Sequence, residues 1–296
     1  MANKRRGGFG FSPSLTGPGT IFTIAFITLA AGMGLLFSRG VTPKSTLTDP
    51  GETGDIEVVE ETPIPGQKGL QLKTIKFKEC ASTVTIDLLL DRSGSMGDRT
   101  PSGQTKISRL REAVGELIKN AQDMSIIGFQ SFDTENVRED VPISYYKDVK
   151  SIIPDKLNAL TPGTGTPTYE ALNLSYNSLK EAIPKFPKDR KFNFIFISDG
   201  APCPGVGCVG NPGADQDPRK YNPNPADEIK ALGVNVYSLG IYSVNQQNPE
   251  LEGLLRSVAS GPEYYFAASS GDDVKRLLTQ ISNRICNQAV TPTPKS

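Results

Sequence analysis

One short polar turn in this chain carries the side chains of a cation site. Asp91, Ser93 and Ser95 follow the apolar run 84–90, which predicts a buried strand. In a parallel α/β sheet, ligands bind at the carboxyl ends of the strands, where this turn would lie. Carboxylate and hydroxyl oxygens are the donors that a hard cation such as Mg²⁺ prefers. The turn therefore predicts part of a divalent-cation site.

Two later stretches supply further oxygen donors of the same kind. Thr166 lies in a Gly/Thr loop at 163–168 that leads into a predicted helix, and Asp199 follows the apolar run 194–197. Asp91 and Asp199 would each end a strand at the same edge of a parallel sheet, and the Thr166 loop would reach that edge. Two carboxylates and three hydroxyls are therefore expected to converge there.

Simpler interpretations exist for each piece taken alone. An Asp-x-Ser-x-Ser turn also occurs without a metal, and a Gly/Thr-rich loop is often only a loop. Asp133 and Glu170 lie near the motifs in the sequence, but such acids are more often solvated surface residues than ligands. Arg92, inside the first motif, is expected at the rim of the site.

Strands and helices alternate between residues 80 and 286, and this alternation predicts the fold that holds the turn. The expected strands are Thr83–Leu90, Ser125–Phe132, Val141–Tyr146, Phe192–Ser198, Val234–Ile241 and Tyr264–Ala267. The expected helices are Ile107–Asn120, Lys147–Leu160, Thr168–Ile183, Pro225–Leu232, Pro249–Ala259 and Asp272–Ile285. This pattern is typical of a doubly wound α/β fold, with a mostly parallel six-stranded sheet and helices on both faces. Val141–Tyr146 follows its neighbour too closely for a helix to intervene, so it is expected as one antiparallel edge strand.

The three motifs together resemble those of the von Willebrand factor A (VWA) domain, also called the integrin I-like domain, which has a Rossmann-like fold. In that family, Asp-x-Ser-x-Ser, a later Thr in a Gly/Thr loop and Asp-Gly after an apolar strand form the metal-ion-dependent adhesion site (MIDAS). The resemblance covers about residues 80–286 and keeps the family's order. It implies that the metal-site residues are Asp91, Ser93, Ser95, Thr166 and Asp199.

The resemblance also implies a role for each of these residues. Ser93 and Ser95 would bind the metal directly, whereas Asp91 and Asp199 would act largely through bound waters, or one of them directly. Thr166 would bind directly in a ligand-ready state, and it fits the family's Thr-x-Thr segment better than the threonines beside it. The remaining metal position would take an acidic side chain from a partner protein. The expected cation is Mg²⁺, with Mn²⁺ or Ca²⁺ as alternatives.

The composition argues for binding and against catalysis. The chain contains no histidine, which excludes Ser/His/Asp and Cys/His catalysis and histidine-bearing zinc sites. Its formal net charge is zero, so nothing in the bulk charge suggests a nucleic-acid partner. The expected function is metal-dependent protein binding or adhesion. The alternatives are a scaffold in an envelope or pilus assembly system and a metal-dependent hydrolase.

The N-terminal part of the chain predicts export of the domain. Thr20–Phe37 is uncharged and apolar apart from its threonines, and it is close to the ~20 residues that span a bilayer. The basic cluster at 4–6 places the N-terminus in the cytoplasm and the domain outside. We expect a single-pass membrane anchor between a cytoplasmic tail (1–19) and a linker (38–79) that is acidic over 38–66, in a bacterial envelope protein. A cleaved signal peptide and a buried core helix are the alternatives.

Four cysteines fit an exported domain and allow three pairings. Cys203 and Cys208 lie close together in a Pro/Gly-rich loop and would close a small ring. Cys80 and Cys286 would then pair if the first strand and the last helix are neighbours, whereas four reduced thiols are the alternative. The loop with Cys203 and Cys208 follows Asp199 and is expected to overhang the metal face, and residues 287–296 are expected to form a disordered tail.

Overall fold

The computed structural model describes residues 83–202, 215–243 and 248–290, without the side chains of 288–290. The strands in these ranges are β1 (Thr85–Asp91), β2 (Ile126–Asp133), β3 (Asn136–Tyr145), β4 (Asn193–Ser198), β5 (Asn235–Ile241) and β6 (Tyr265–Ala268). The α-helices are α1 (Lys106–Lys119), α2 (Tyr146–Val149), α3 (Ile153–Asn158), α4 (Thr168–Ala182), α5 (Pro225–Ala231), α6 (Pro249–Val258) and α7 (Val274–Val290).

The strands form one sheet in the order β3-β2-β1-β4-β5-β6. β3 is antiparallel to β2, and every other neighbouring pair is parallel. This confirms the predicted six-stranded, mostly parallel sheet with one antiparallel edge strand. β3 begins earlier than expected because it pairs with β2 directly after a short turn, with Asn136 opposite Asp133.

The central strand β1 separates two apolar cores. Leu88 and Leu90 pack in a cluster that includes residues of α1, α3 and α7, whereas Leu89 packs in a cluster that includes residues of α4, α5 and α6. All residues of β1 are buried, which explains why the sequence reads as a continuous apolar run. The helices therefore cover both faces of the sheet, as predicted. The turn after Asp91 follows a strand that is paired on both edges and packed against helices on both faces.

Two helix predictions were wrong in their boundaries. The single helix expected at Lys147–Leu160 is divided into α2 and α3. Pro154 has no N–H to donate to the preceding turn, so it starts a new helix instead of continuing the old one. At the other end of the domain, α7 continues to Val290, so residues 287–290 of the expected disordered tail are helical.

Several predictions concern residues outside the described ranges and stay predictions. They are the cytoplasmic tail (1–19), the anchor (Thr20–Phe37), the linker (38–79), and the pairings Cys80–Cys286 and Cys203–Cys208. Cys286 itself is disulfide-bonded. Among residues 83–202, 215–243 and 248–290, no helix combines the length and the apolar character that a membrane crossing needs.

Candidate metal centre

The centre lies where β1 and β4 end side by side. The two strands are parallel, with Leu90 opposite Ile197, so their last residues emerge together at the carboxyl edge of the sheet. The Ser198 hydroxyl at the end of β4 donates to Asp91 Oδ2 at 2.5 Å. The next residue of the chain, Asp199, is therefore delivered beside the turn that follows Asp91, as the sequence predicted.

Two serine hydroxyls converge on one oxygen of Asp199. Ser95 Oγ is 2.6 Å and Ser93 Oγ is 3.3 Å from Asp199 Oδ1, and the two hydroxyl oxygens are 3.1 Å apart. A 3₁₀ turn at Gly94–Gly97 curls the chain so that both serines reach the same point, and the buried side chain of Met96 fixes that turn to the core. Three oxygens thus share one small volume.

Asp91 lies behind this cluster and is fully buried. Its Oδ1 accepts the backbone N–H of Ser93 at 2.6 Å, and its Oδ2 accepts the hydroxyl of Ser198. Burial, followed by repulsion from Asp199, raises the pKa of the Asp91 carboxyl to about 7. Two carboxylates held this close in a dry environment favour a cation between or beside them.

The Gly/Thr loop is bonded to the first motif through the backbone. Gly94 N–H donates to the Thr164 carbonyl at 2.7 Å, and Gly163 N–H donates to the Arg92 carbonyl at 2.6 Å. These two bonds place the predicted ligand Thr166 at the same edge of the sheet as the serines.

Thr166 is the threonine of this loop that lies beside Asp199-Gly200. A Cβ added at Gly200 would be 3.0 Å from Thr166 Oγ1, so the missing side chain at 200 lets this hydroxyl approach the chain next to Asp199. The Thr164 hydroxyl pairs instead with that of Thr134, and the Thr168 hydroxyl donates to the Thr166 carbonyl at 3.4 Å. Of the three threonines, Thr166 is thus the one placed to serve the site.

Arg92 and Asp133 were predicted at the rim and in solvent, and both predictions were wrong. Arg92 Nη2 and Asp133 Oδ2 form an ion pair at 2.9 Å, with side chains 6% and 5% exposed. Arg92 also donates to the Thr161 carbonyl at 3.2 Å, and Gly163 packs so closely against the Asp133 carboxylate that a side chain there would overlap it. The pair therefore holds the Gly/Thr loop against the first motif. Glu170, also expected in solvent, is half-buried.

Two residues that contact the centre, Ser198 and Lys106, were not predicted from the sequence motifs. Ser198, described above, orients Asp91. Lys106 Nζ lies 2.7 Å from Asp199 Oδ2, and both side chains are buried. The available signal for Lys106 was its position as the first residue of a helix, where the helix dipole disfavours a cation unless a carboxylate is near.

The donor set fits a hard divalent cation. It consists of hydroxyl and carboxylate oxygens from Asp91, Ser93, Ser95, Thr166 and Asp199, which is the chemistry that Mg²⁺, Mn²⁺ and Ca²⁺ prefer. In the part of the chain that the structure describes, no group of three or more His, Cys, Asp or Glu side chains is arranged to hold a metal. A cation here would therefore depend on the hydroxyls of Ser93, Ser95 and Thr166 as well as on the two carboxylates.

The sequence profile of the von Willebrand factor type A domain matches residues 86–281, which is more than half of the chain. The chain therefore belongs to the von Willebrand factor A domain family. No curated protein matches it.

Several solved structures share the fold. Proximal thread matrix protein 1 from the mussel byssus, with a zinc-occupied MIDAS motif, aligns with a TM-score of 0.53 and 21% identity, covering 70% of this chain and 49% of that one. The pilus adhesin SpaC from Lactobacillus rhamnosus GG aligns with a TM-score of 0.54 and 16% identity, covering 70% and 31%. The type V pili tip protein Mfa5 from Porphyromonas gingivalis aligns over its von Willebrand domain with a TM-score of 0.52 and 15% identity, covering 73% and 99%. The matched part is about half the length of the mussel protein.

Proposed function

We propose that this VWA domain binds an acidic side chain of a partner protein through a divalent cation held at the candidate metal centre. The observation that carries the proposal is the convergence of the Ser93 and Ser95 hydroxyls on Asp199 Oδ1, at 3.3 and 2.6 Å. The hydroxyls are neutral and do not reduce the charge of a bound cation, so an incoming carboxylate gains a charge-assisted bond to it.

Each residue of the centre has a distinct task in this proposal. Ser93, Ser95 and Thr166 would hold the cation through their hydroxyls, and Asp91 and Asp199 would supply the negative charge. When bound, the cation supplies a positive centre that attracts a carboxylate oxygen. Mg²⁺ is the proposed ion, with Mn²⁺ and Ca²⁺ as alternatives, and zinc is the ion named at the MIDAS of the mussel protein.

The proposal assigns the protein to binding and not to catalysis. The chain has no histidine to act as a base near neutral pH. Asp91 accepts bonds from Ser93 and Ser198, and Asp199 accepts bonds from both serines and from Lys106. Carboxylates already engaged in this way serve a bound cation better than they serve proton transfer to a substrate.

The proposed location is outside the cell membrane, on a single-pass anchor at Thr20–Phe37. Support comes from the uncharged apolar segment, from the basic cluster before it and from the four cysteines. The linker at 38–79 would hold the domain away from the membrane surface. Tethering would present the metal centre to partners on neighbouring molecules or cells.

A direct test measures the cation itself. The full-length chain, purified in detergent micelles and stripped with chelator, is titrated with Mg²⁺ by calorimetry beside Asp199→Ala and the matched control Asp123→Ala. Asp123 is an exposed acid before the amino end of β2, away from the edge that carries the centre. We expect binding by the parent and by Asp123→Ala, and none by Asp199→Ala. Binding that survives Asp199→Ala would contradict the proposal.

A second candidate is a scaffold role in a pilus or envelope assembly. The observation in its favour is that the similar folds include the pilus adhesin SpaC and the pili tip protein Mfa5. The two candidates differ in their need for the metal. Co-purification of envelope proteins with the parent chain that is lost with chelator and with Asp199→Ala supports metal-dependent binding, whereas co-purification unaffected by both supports the scaffold.

A further inference from the structure

A buried lysine touches the candidate metal centre, and the family motifs do not account for it. Lys106 Nζ is 2.7 Å from Asp199 Oδ2, with side chains 6% and 0% exposed. Its other carboxylate neighbour, Asp98, is 3.6 Å away and largely exposed. Solvent screens the Asp98 charge, so the interaction of Lys106 is mainly with Asp199.

The loop before α1 positions Lys106 next to the centre. Arg99 and Thr105 form an isolated antiparallel bridge, and the N–H of Lys106 donates to the Asp98 carbonyl at 3.0 Å. Lys106 is then the first residue of α1, where the dipole opposes a positive charge, and it is also buried. Because both placements disfavour an ammonium, the contact with Asp199 is the interaction that offsets them.

The two oxygens of Asp199 face different partners. Oδ1 accepts the serine hydroxyls, whereas Oδ2 accepts the ammonium of Lys106. We propose that Lys106 is a built-in counter-charge of the metal centre, which weakens cation binding and strengthens the binding of an acid by the loaded centre. This inference rests on the proposed function, since it concerns the same centre.

The charges of the centre explain both effects. Asp91 and Asp199, when ionised, contribute two negative charges and Lys106 one positive charge, which leaves a net charge of −1. A divalent cation changes this to +1, whereas a centre without the lysine would reach only zero. In a buried site with little screening, the ammonium repels the cation as it enters and then adds to the attraction for a carboxylate. The residue therefore selects an anionic partner at the expense of metal affinity.

The test removes the positive charge of Lys106 with two different substitutions. Lys106→Met removes the charge and the hydrogen-bond donor, and Lys106→Gln removes the charge but keeps a donor for Asp199. Lys119→Met is the matched control, because it removes an exposed lysine from the other end of the same helix. Full-length proteins in detergent micelles are titrated with Mg²⁺ alone by calorimetry, and circular dichroism at saturating Mg²⁺ checks their fold.

We expect both Lys106 variants to bind Mg²⁺ at least about tenfold more tightly than the parent, with Lys119→Met unchanged. If Lys106→Met does not fold, Lys106→Gln decides the question. Acetate is the second probe, followed by the relaxation of its methyl protons on the Mn²⁺-loaded proteins, and it should bind the Lys106 variants more weakly than the parent.

The outcomes separate this inference from the proposed function. Mg²⁺ binding by the parent, with equal or weaker binding by the Lys106 variants, overturns the inference and leaves the proposed function standing. Acetate binding that is unchanged in those variants overturns the role in selecting an acid. No Mg²⁺ binding by any of the four proteins overturns the proposed function itself.

Discussion

Asp87 and Asp91 lie on the same strand, one in its middle and one at its end, and they differ sharply in their surroundings. Both side chains are fully buried, and because side chains alternate along a strand both point to the same face of the sheet. Burial raises both pKa values, that of Asp87 to about 8 and that of Asp91 to about 7. By burial and pKa alone, the two carboxyls would be equal candidates for a functional group.

Their hydrogen bonds distinguish them. Asp87 Oδ1 accepts the amide of Gln130 at 3.0 Å, while its Oδ2 is buried with no hydrogen-bond partner among the described residues. Asp91 has a donor at each oxygen and lies next to a second carboxylate and two further hydroxyls. A buried acid with a raised pKa therefore does not by itself mark a site. Convergence of several oxygen donors at the carboxyl edge of the sheet does.

The largest expected effect is the loss of Mg²⁺ affinity when the Asp91 carboxylate is neutralised. Asp91→Asn keeps the shape of the side chain but removes one of two negative charges from the centre, so Mg²⁺ affinity should fall more than about a hundredfold. Asp87→Asn is the matched control, since it makes the same change on the same strand away from the donors. Calorimetric titration of the full-length proteins measures both. Comparable losses of Mg²⁺ affinity in the two variants would show that the two acids do not differ in their role at the centre.

A smaller effect is expected on folding stability, and it comes from the ionisation of Asp87. Its folded pKa of about 8 exceeds the ordinary value of 3.8, so between these values the folded state holds a proton that the unfolded state has lost. Stability from this group is complete below about pH 4 and is lost as the pH rises through about 8.

Asparagine at position 87 cannot ionise, so Asp87→Asn removes that pH-dependent loss. The advantage of the variant in free energy of unfolding should grow by about 2–3 kcal/mol between pH 5 and pH 7. Urea unfolding of the parent and the variant, followed by circular dichroism at both pH values, measures the difference. A constant difference would show that Asp87 ionises as an ordinary surface acid does.

The smallest effect concerns the serines that support each acid. The Ser198 hydroxyl bonds to Asp91, and the Ser175 hydroxyl bonds at 2.9 Å to the Gln130 side chain that contacts Asp87. Ser198→Ala should weaken Mg²⁺ binding roughly tenfold because Asp91 loses its orientation. Ser175→Ala should leave Mg²⁺ affinity unchanged and cost about 1 kcal/mol of stability. A loss of Mg²⁺ affinity in Ser175→Ala, with unchanged affinity in Ser198→Ala, would contradict the distinction between the two acids.

Local signals in the sequence were enough to predict the sheet and to predict that Asp91, Ser93, Ser95, Thr166 and Asp199 lie at one edge of it. The apolar runs before Asp91 and Asp199 identified buried strands, and the parallel arrangement brought their ends together. The Gly/Thr loop identified the approach of Thr166. These features depend on residues close in sequence and on the general rule for strand ends, so they could be predicted.

The contacts that were missed join residues far apart in sequence. The Arg92–Asp133 pair depends on how two loops meet, and an acid and a base 41 positions apart carry no local pattern. Lys106 reaches Asp199 because the loop before α1 closes on itself. Where the failure was local, in the helix expected at Lys147–Leu160, Pro154 was the signal that decided the outcome. Tertiary contacts of buried charges are therefore what the sequence alone did not reveal.

The pairing of β4 with β1 also determines when the centre comes into existence. Ser93 and Asp199 are 106 residues apart, and β2, β3 and α4 all lie between them in the chain. During synthesis, the first motif therefore leaves the ribosome well before its carboxylate partner exists, and contacts of such separation form late in folding. Cation binding at this centre would then report that β4 has paired with β1, and a chain that ends before β4 would carry the serines without the site.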